Sequence, residues 1–258
     1  PSRPMRITVC QLRDDEASIA DEWDALAEHT QAVEADIVVL PEMPFHPWLF
    51  TERQPDPDRW VAAVGAHEYW MRRLGEAGAA VVLGARPILA GDHRLNEAFI
   101  WSSETGHRPA HHKRYLPDED GFWEASWYEQ GDGRFDVKRT AGIGVGFLLC
   151  TELWYLEHAR DYGRAGADLI AIPRATDAAN RSKWVAGGRT AAVVSGAFCG
   201  SSNRGGRSQG IDWAGTGWVI DPDGEVLALT SEDDPFVTVE IDLDAADQAK
   251  RTYPRYVR

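Results

Sequence analysis

The run Gly142-Ile-Gly-Val-Gly-Phe-Leu-Leu-Cys150-Thr-Glu152-Leu-Trp154 constrains this chain most. An apolar strand climbs to a cysteine, and the residues after it, Trp154 to Arg164, have helical spacing. A strand that feeds straight into a helix predicts an α/β architecture. It also sets a thiol beside the free N–H groups of a helix start, which favour a thiolate and can hold an oxyanion. The competing reading is a small buried apolar side chain that closes a core strand.

The rest of the chain narrows the classes. At 258 residues with 43% hydrophobic content it is long and apolar enough for a globular core, and one α/β domain over 1–258 is the economical expectation. No apolar run approaches the roughly 20 residues of a membrane span, and no signal peptide is visible ahead of the first strand. Three widely spaced cysteines, Cys10, Cys150 and Cys199, argue against a disulfide framework and a zinc site, and fit a reducing cytoplasm. The net charge is −14, from 41 acids and 27 bases, and the bases are scattered. That pattern excludes the basic stripe of a nucleic-acid binder. The clusters Asp14-Asp15-Glu16 and Glu232-Asp233-Asp234 read as solvated loops.

Periodicity and turn signals predict strands at Met5–Gln11, Asp36–Leu40, Ala79–Ala85, Leu95–Ser102, Asp168–Ile172, Val193–Ser201 and Pro235–Leu243. They predict helices at Ala17–Glu34, Asp58–Ala77 and Arg181–Ala192, and a hairpin from Ala214–Ile220 to Glu225–Leu229 across Asp221-Pro-Asp-Gly224. The strands at 79–85 and 95–102 are expected to pair. Thr105 to Arg139 reads as a long irregular segment, a length that points to function.

Three side chains stand out as chemistry. Glu42 lies in Leu40-Pro-Glu-Met-Pro44, just past a strand and braced by proline on both sides. Lys113 lies in His111-His-Lys-Arg-Tyr-Leu-Pro117. Cys150 ends the apolar run. Sites of α/β folds gather at the carboxyl ends of strands. A cysteine nucleophile needs a base, and a lysine can stabilise the charge that builds on the attacked group. His107, His111 and His112 lack the spacing of a metal site.

In order and context these motifs resemble the nitrilase superfamily of carbon–nitrogen hydrolases, from Ile7 to about Pro254. The motifs are Val38-Val-Leu-Pro-Glu42, His112-Lys113-Arg-Tyr-Leu-Pro117 and Leu149-Cys150-Thr-Glu152-Leu-Trp154, with Gly166-Ala-Asp168, Asn203-Arg204-Gly205 and Asp221-Pro-Asp-Gly224 following. The resemblance implies an α-β-β-α sandwich and a Glu–Lys–Cys triad without metal or organic cofactor. Glu42 would be the general base, Lys113 the stabiliser of the tetrahedral intermediate and Cys150 the nucleophile. The Thr151 backbone N–H would be an oxyanion donor and Glu124 a second glutamate beside the lysine. Trp48, Trp123, Glu152, Trp154, Arg174 and Thr176 are candidate substrate contacts, with bracing of its own loop the favoured role for Glu152, and bracing of Glu152 or of a dimer the alternative for Arg174. The thiol is expected below its ordinary pKa and Lys113 charged.

Hydrolysis of a small amide through a thioester is the first functional expectation. A carbamoyl amide is a close variant, a nitrile an alternative, and a silent binding protein the reading from another class. A homodimer or larger assembly is implied, with the tail from about 245 to 258 as a candidate arm. The chain departs from the family pattern at three places: His111 stands where members often carry tyrosine, Gly217 where many carry serine, and Cys150-Thr-Glu152 matches neither main branch.

Overall fold

A computed structural model describes residues 4–257. In chain order its strands are β1 (Met5–Arg13), β2 (Ile37–Glu42), β3 (Val81–Ala90), β4 (His93–Ser102), β5 (Gly106–His112), β6 (Lys138–Thr140), β7 (Ile143–Phe147), β8 (Leu169–Pro173), β9 (Phe198–Gly205), β10 (Arg207–Ser208), β11 (Ile211–Asp212), β12 (Trp218–Ile220), β13 (Val226–Leu229) and β14 (Phe236–Ile241). The helices are α1 (Ile19–Ala32), α2 (Pro57–Met71), α3 (Glu124–Trp127), α4 (Leu156–Arg164), α5 (Arg181–Ser195) and α6 (Leu243–Ala249).

One hydrogen-bonded path runs β5-β4-β3-β2-β1-β9-β8-β7-β6, with β14 on β1, β12 on β9 and β13 on β12. The path folds into two layers. β1 pairs with β2 through Ile7–Val9 and passes to β9 through Gln11–Arg13. Ile7, Val9, Val39 and Leu83 of the first sheet meet Val145, Phe147, Leu169 and Val219 of the second in one buried cluster. The outer face of the first sheet packs Val38, Leu40 and Val82 on Trp23 and Leu26 of α1 and Trp70 of α2. The outer face of the second packs Ile170, Ile172 and Cys199 on Ala159 and Tyr162 of α4 and Ala191 of α5. Both faces of each sheet are therefore covered, and the result is the expected α-β-β-α sandwich. It also explains why the central strands read as continuous apolar runs rather than alternating ones.

Several boundaries differ from the sequence reading. β2 does not stop before Pro41; it runs through Glu42 with a register irregularity between Val39 and Glu42. A bulge tolerates a proline because the missing N–H is not needed there. Val193 and Val194 belong to α5, which ends at Gly196 in the left-handed conformation. The segment 105–139 is not irregular throughout. It holds β5, which extends the first sheet along β4, and the single turn α3. The expected pairing of the strands at 79–85 and 95–102 is present in full register. Between the nucleophile strand and α4, residues Cys150–Trp154 form a 3-10 turn, so the helix starts at Leu156 rather than Trp154.

The solvated-loop reading fails at Asp14. It is buried in an ion pair with Arg204, and it also accepts hydrogen bonds from Trp48 N, Ser208 Oγ and Gln209 Nε2. The tail lies on its own chain: Arg160 donates to the Val257 carbonyl at 2.6 Å, and Arg255 donates to the Pro222 carbonyl and to Asp223. Its last residue, Arg258, lies outside the described residues. Among the described residues no helix is long and apolar enough to cross a membrane.

Candidate active site

The carboxyl ends of β2, β5 and β7 bring Glu42, Lys113 and Cys150 to one place. Glu42 is the last residue of β2, and its N–H is held by the Arg174 carbonyl at the end of β8. Lys113 follows β5 directly and is fixed by its N–H to Asn96 O. The loop from Lys113 to Gly131 closes with Gly131 N donating to Lys113 O at 2.9 Å. A Cβ at Gly131 would lie 2.1 Å from the His112 carbonyl, so only glycine permits that closure.

Lys113 Nζ is fully buried and donates to Glu42 Oε1 at 2.8 Å and to both oxygens of Glu124 at 2.9 and 2.7 Å. Asn96 Nδ2 donates to the same Glu42 Oε1 at 2.7 Å. Glu42 Oε2 is buried and has no hydrogen-bond partner. One oxygen is thus anchored twice, and the other is left with its lone pairs available.

Two carboxyls surround one ammonium, and the charge balance shapes every proton here. Burial alone would lower the Lys113 pKa, but Glu124 and then Glu42 outweigh it and hold the amine charged above its ordinary range. Burial, with the Glu42 charge, pushes Glu124 up to about 8 against the pull of Lys113. For Cys150 burial and Glu42 outweigh Lys113, and the thiol rises from 9.0 to about 12. The expected depressed thiol pKa is therefore corrected: the resting sulfur is a protonated thiol. The ammonium and helix start are present, yet two nearby carboxyls and the dry surroundings win.

Cys150 sits at φ 48°, in the left-handed region that a non-glycine residue adopts at a cost of order 1–3 kcal/mol. Its turn is fixed by Glu152, whose carboxylate accepts from Leu149 N at 2.9 Å. The sulfur lies 3.7 Å from the Ala175 carbonyl. Thr151 is the second residue of the turn, ahead of the first intrahelical bond.

A cavity of about 490 Å³ opens above the sulfur, lined by Cys150, Thr151, Glu124, Phe122, Trp154 and Trp184 among others. Trp154 is exposed and packs on Trp184 at 4.7 Å between ring centroids. It rests on α5 at Gly187, where a Cβ would fall 2.9 Å from its ring. Asp118, Glu119 and Asp177 stand along the cavity with Lys183.

The candidate contacts divide. Trp154 and Thr176 line the cavity. Trp48 does not; it is completely buried, donates Nε1 to Gly121 O and packs edge-on to Phe50. Trp123 is also absent from the cavity wall, and Arg53 covers its ring at 4.9 Å. Both tryptophans secure the loop that presents Glu124. Glu152 is buried away from the cavity and braces its loop. Arg174 does not pair with Glu152 or reach the surface. It is buried, donates to Ser201 Oγ, Thr176 Oγ1 and Thr216 O, and lies over the Trp184 and Trp218 rings. Burial lowers its pKa to about 10. Cys10 and Cys199 are buried in strands.

Sequence reasoning missed Asn96, Phe122, Trp184 and Asp177. Asn96 stands in a strand that also carries Arg94 and Glu97, so nothing local singled it out. The histidines go to carboxylates: His107 and His112 approach Glu97, and His111 meets Glu152.

A thiol, a carboxylate and an ammonium buried together at the strand ends of a sandwich form a set that can support hydrolysis at a cysteine. Residues 6–251 match the carbon-nitrogen hydrolase family, and the chain belongs to it. It is a hydrolase of carbon–nitrogen bonds. It is 24% identical to the 2-oxoglutaramate amidase of Bacillus subtilis (strain 168), over 85% of this chain and 83% of that one. It is 28% identical to the N-carbamoylputrescine amidase of Oryza sativa subsp. japonica, over 60% of this chain and 57% of that one. The fold superposes on a carbon-nitrogen hydrolase from Helicobacter pylori G27 with TM-score 0.87, 20% identity and coverage of 98% and 94%.

Proposed function

We propose that the chain hydrolyses a small amide, R–CO–NH2 plus water giving R–COOH plus ammonia, through a thioester on Cys150. The observation that carries this reading is Glu42: one oxygen is tied to Lys113 and Asn96, and the other is buried and unpartnered. Such a carboxylate is a positioned base without a competing ligand.

A thiol with pKa near 12 does not attack as a standing thiolate. Glu42 Oε2 takes the thiol proton as the sulfur adds to the carbonyl carbon. The oxyanion is held by Lys113 Nζ and the Thr151 N–H. Collapse breaks the C–N bond, and the proton on Glu42 leaves with ammonia. Water, deprotonated by Glu42, then adds to the thioester; the acid departs and the thiol is restored. Glu124 and Asn96 position Lys113 and Glu42 throughout.

A second reading, the carbamoyl amide of an amine, is favoured by the cavity mouth. Asp118, Glu119 and Asp177 outnumber Lys183 there, which suits a cationic end on the substrate. Ammonia release from a panel of neutral, anionic and cationic amides, carbamoyl amines and nitriles tests the assignment. Cys150→Ala is expected to lose turnover by about 10⁴-fold or more while keeping its melting transition. Wild-type rates in that variant, or silence across the whole panel, overturn the reading.

A further inference from the structure

We propose that His111 and Glu152 are positioning residues: a buried imidazolium–carboxylate clamp that holds the lysine strand and the strained cysteine turn in register. The proposal rests on Cys150 being the reactive thiol. His111 and Glu152, both at places where the chain departs from its family's pattern, touch each other, and neither side chain lines the cavity.

The proton count follows from the neighbours. His111 Nδ1 lies 2.9 Å from the Arg134 carbonyl. Nε2 lies 3.0 and 2.9 Å from the two Glu152 oxygens. Both ring nitrogens face acceptors, so both carry hydrogen; a neutral ring would aim a lone pair at an oxygen. Glu152 also accepts from Arg114 N at 2.6 Å and Leu149 N at 2.9 Å. Arg114 follows Lys113 and Leu149 precedes Cys150. One carboxylate therefore ties together the backbone beside both reacting groups, and the imidazolium is its only charged partner among the described residues.

The surroundings support a charged ring. Burial pulls the His111 pKa down, but the Glu152 charge and hydrogen bond, the Arg134 carbonyl and Asp132 outweigh it and hold the pKa above its ordinary value. The remaining neighbours are the Phe135 ring at 4.6 Å and, beyond it, His158 on α4. Burial lowers the His158 pKa, and its Nε2 meets the Tyr115 hydroxyl, so it adds little repulsion at neutral pH. As pH rises through the His111 pKa, the clamp loses its proton and the cysteine turn loosens.

The test reads the thiol directly, independent of any substrate. Cys150 alkylation by iodoacetamide is followed by intact mass from about pH 6 to about pH 9.5, with Cys150→Ala as blank. His111→Gln is expected to react about tenfold slower than wild type at the acid end, because small misplacements cost large factors. The ratio should close toward one at the alkaline end, where wild type loses its imidazolium as well. A ratio that stays constant, or no difference at any pH, overturns the clamp. If His111→Gln does not melt cooperatively, His111→Tyr decides. Its hydroxyl donates to Glu152 and does not titrate below about pH 10, so it should match wild type in acid and exceed it in alkali. A tyrosine variant that tracks wild type at every pH also overturns the proposal. Ammonia release is measured separately, so failure of the clamp and failure of the amidase reading are distinct results.

Discussion

Two buried ionic clusters hang on the same molecule and obey opposite rules. Asp14 and Arg204 are one acid and one base, and Asp14 accepts four hydrogen bonds. Glu42, Lys113 and Glu124 are two acids around one base, with one carboxylate oxygen unpartnered. The first cluster is balanced and holds β1, the loop after β2 and β9 together. The second leaves one carboxylate oxygen free, and burial with the Glu42 charge keeps the neighbouring thiol protonated. Saturation marks structure; a deficit marks chemistry.

The same substitution, acid to amide, breaks the comparison most sharply when made in both clusters. Glu42→Gln removes the proton acceptor and is expected to lower kcat by about 10³-fold or more. It also leaves Lys113 with a single carboxylate, so the chemical denaturation midpoint should hold or rise. A variant that keeps turnover, or loses both stability and turnover, removes the distinction. Asp14→Asn strands Arg204 without its counter-charge. Breaking a buried pair this way costs about 3–5 kcal/mol, read as a lowered denaturation midpoint. A loss under about 1 kcal/mol would mean the pair is not structural.

The smallest effect sharpens the contrast through pH. Glu124 has a folded pKa raised from 4.5 to about 8, so between those values the folded chain holds a proton that the unfolded chain has released. Its contribution to stability is present below pH 4.5 and is lost as pH rises toward 8. Glu124→Gln should flatten that decline and melt higher than wild type at the alkaline end, by about 1 kcal/mol or more, while losing activity because Lys113 loses an anchor. Parallel melting curves across this range would show that Glu124 is ionised throughout.

Much of the site was legible because its residues sit in short segments with their own signals. Glu42 between prolines, Lys113 ahead of Pro117 and Cys150 at the end of an apolar run each follow a strand, and strand ends are where an α/β fold can meet a ligand. The tryptophans were not legible. Trp48 and Trp123 carry the same side chain as Trp154, and only packing sends the first into the core and the last to the cavity. Polar positions inside strands were equally silent: Asn96 looks like any strand residue until Glu42, 54 residues away, is placed against it.

By itself the sequence determined most of the order of strands and helices, and through short motifs the family resemblance that implies the sandwich class and three candidate side chains, since these depend on local periodicity and short motifs. Only the tertiary structure decided protonation and pairing. Asp14 reads as solvated until Arg204, 190 positions later, buries it. His111 reads as a loop histidine until Glu152 approaches from the turn after β7. The thiol reads as activated until burial and the Glu42 carboxylate outweigh the ammonium beside it. Charge and burial are properties of neighbours in space, and no local pattern carries them.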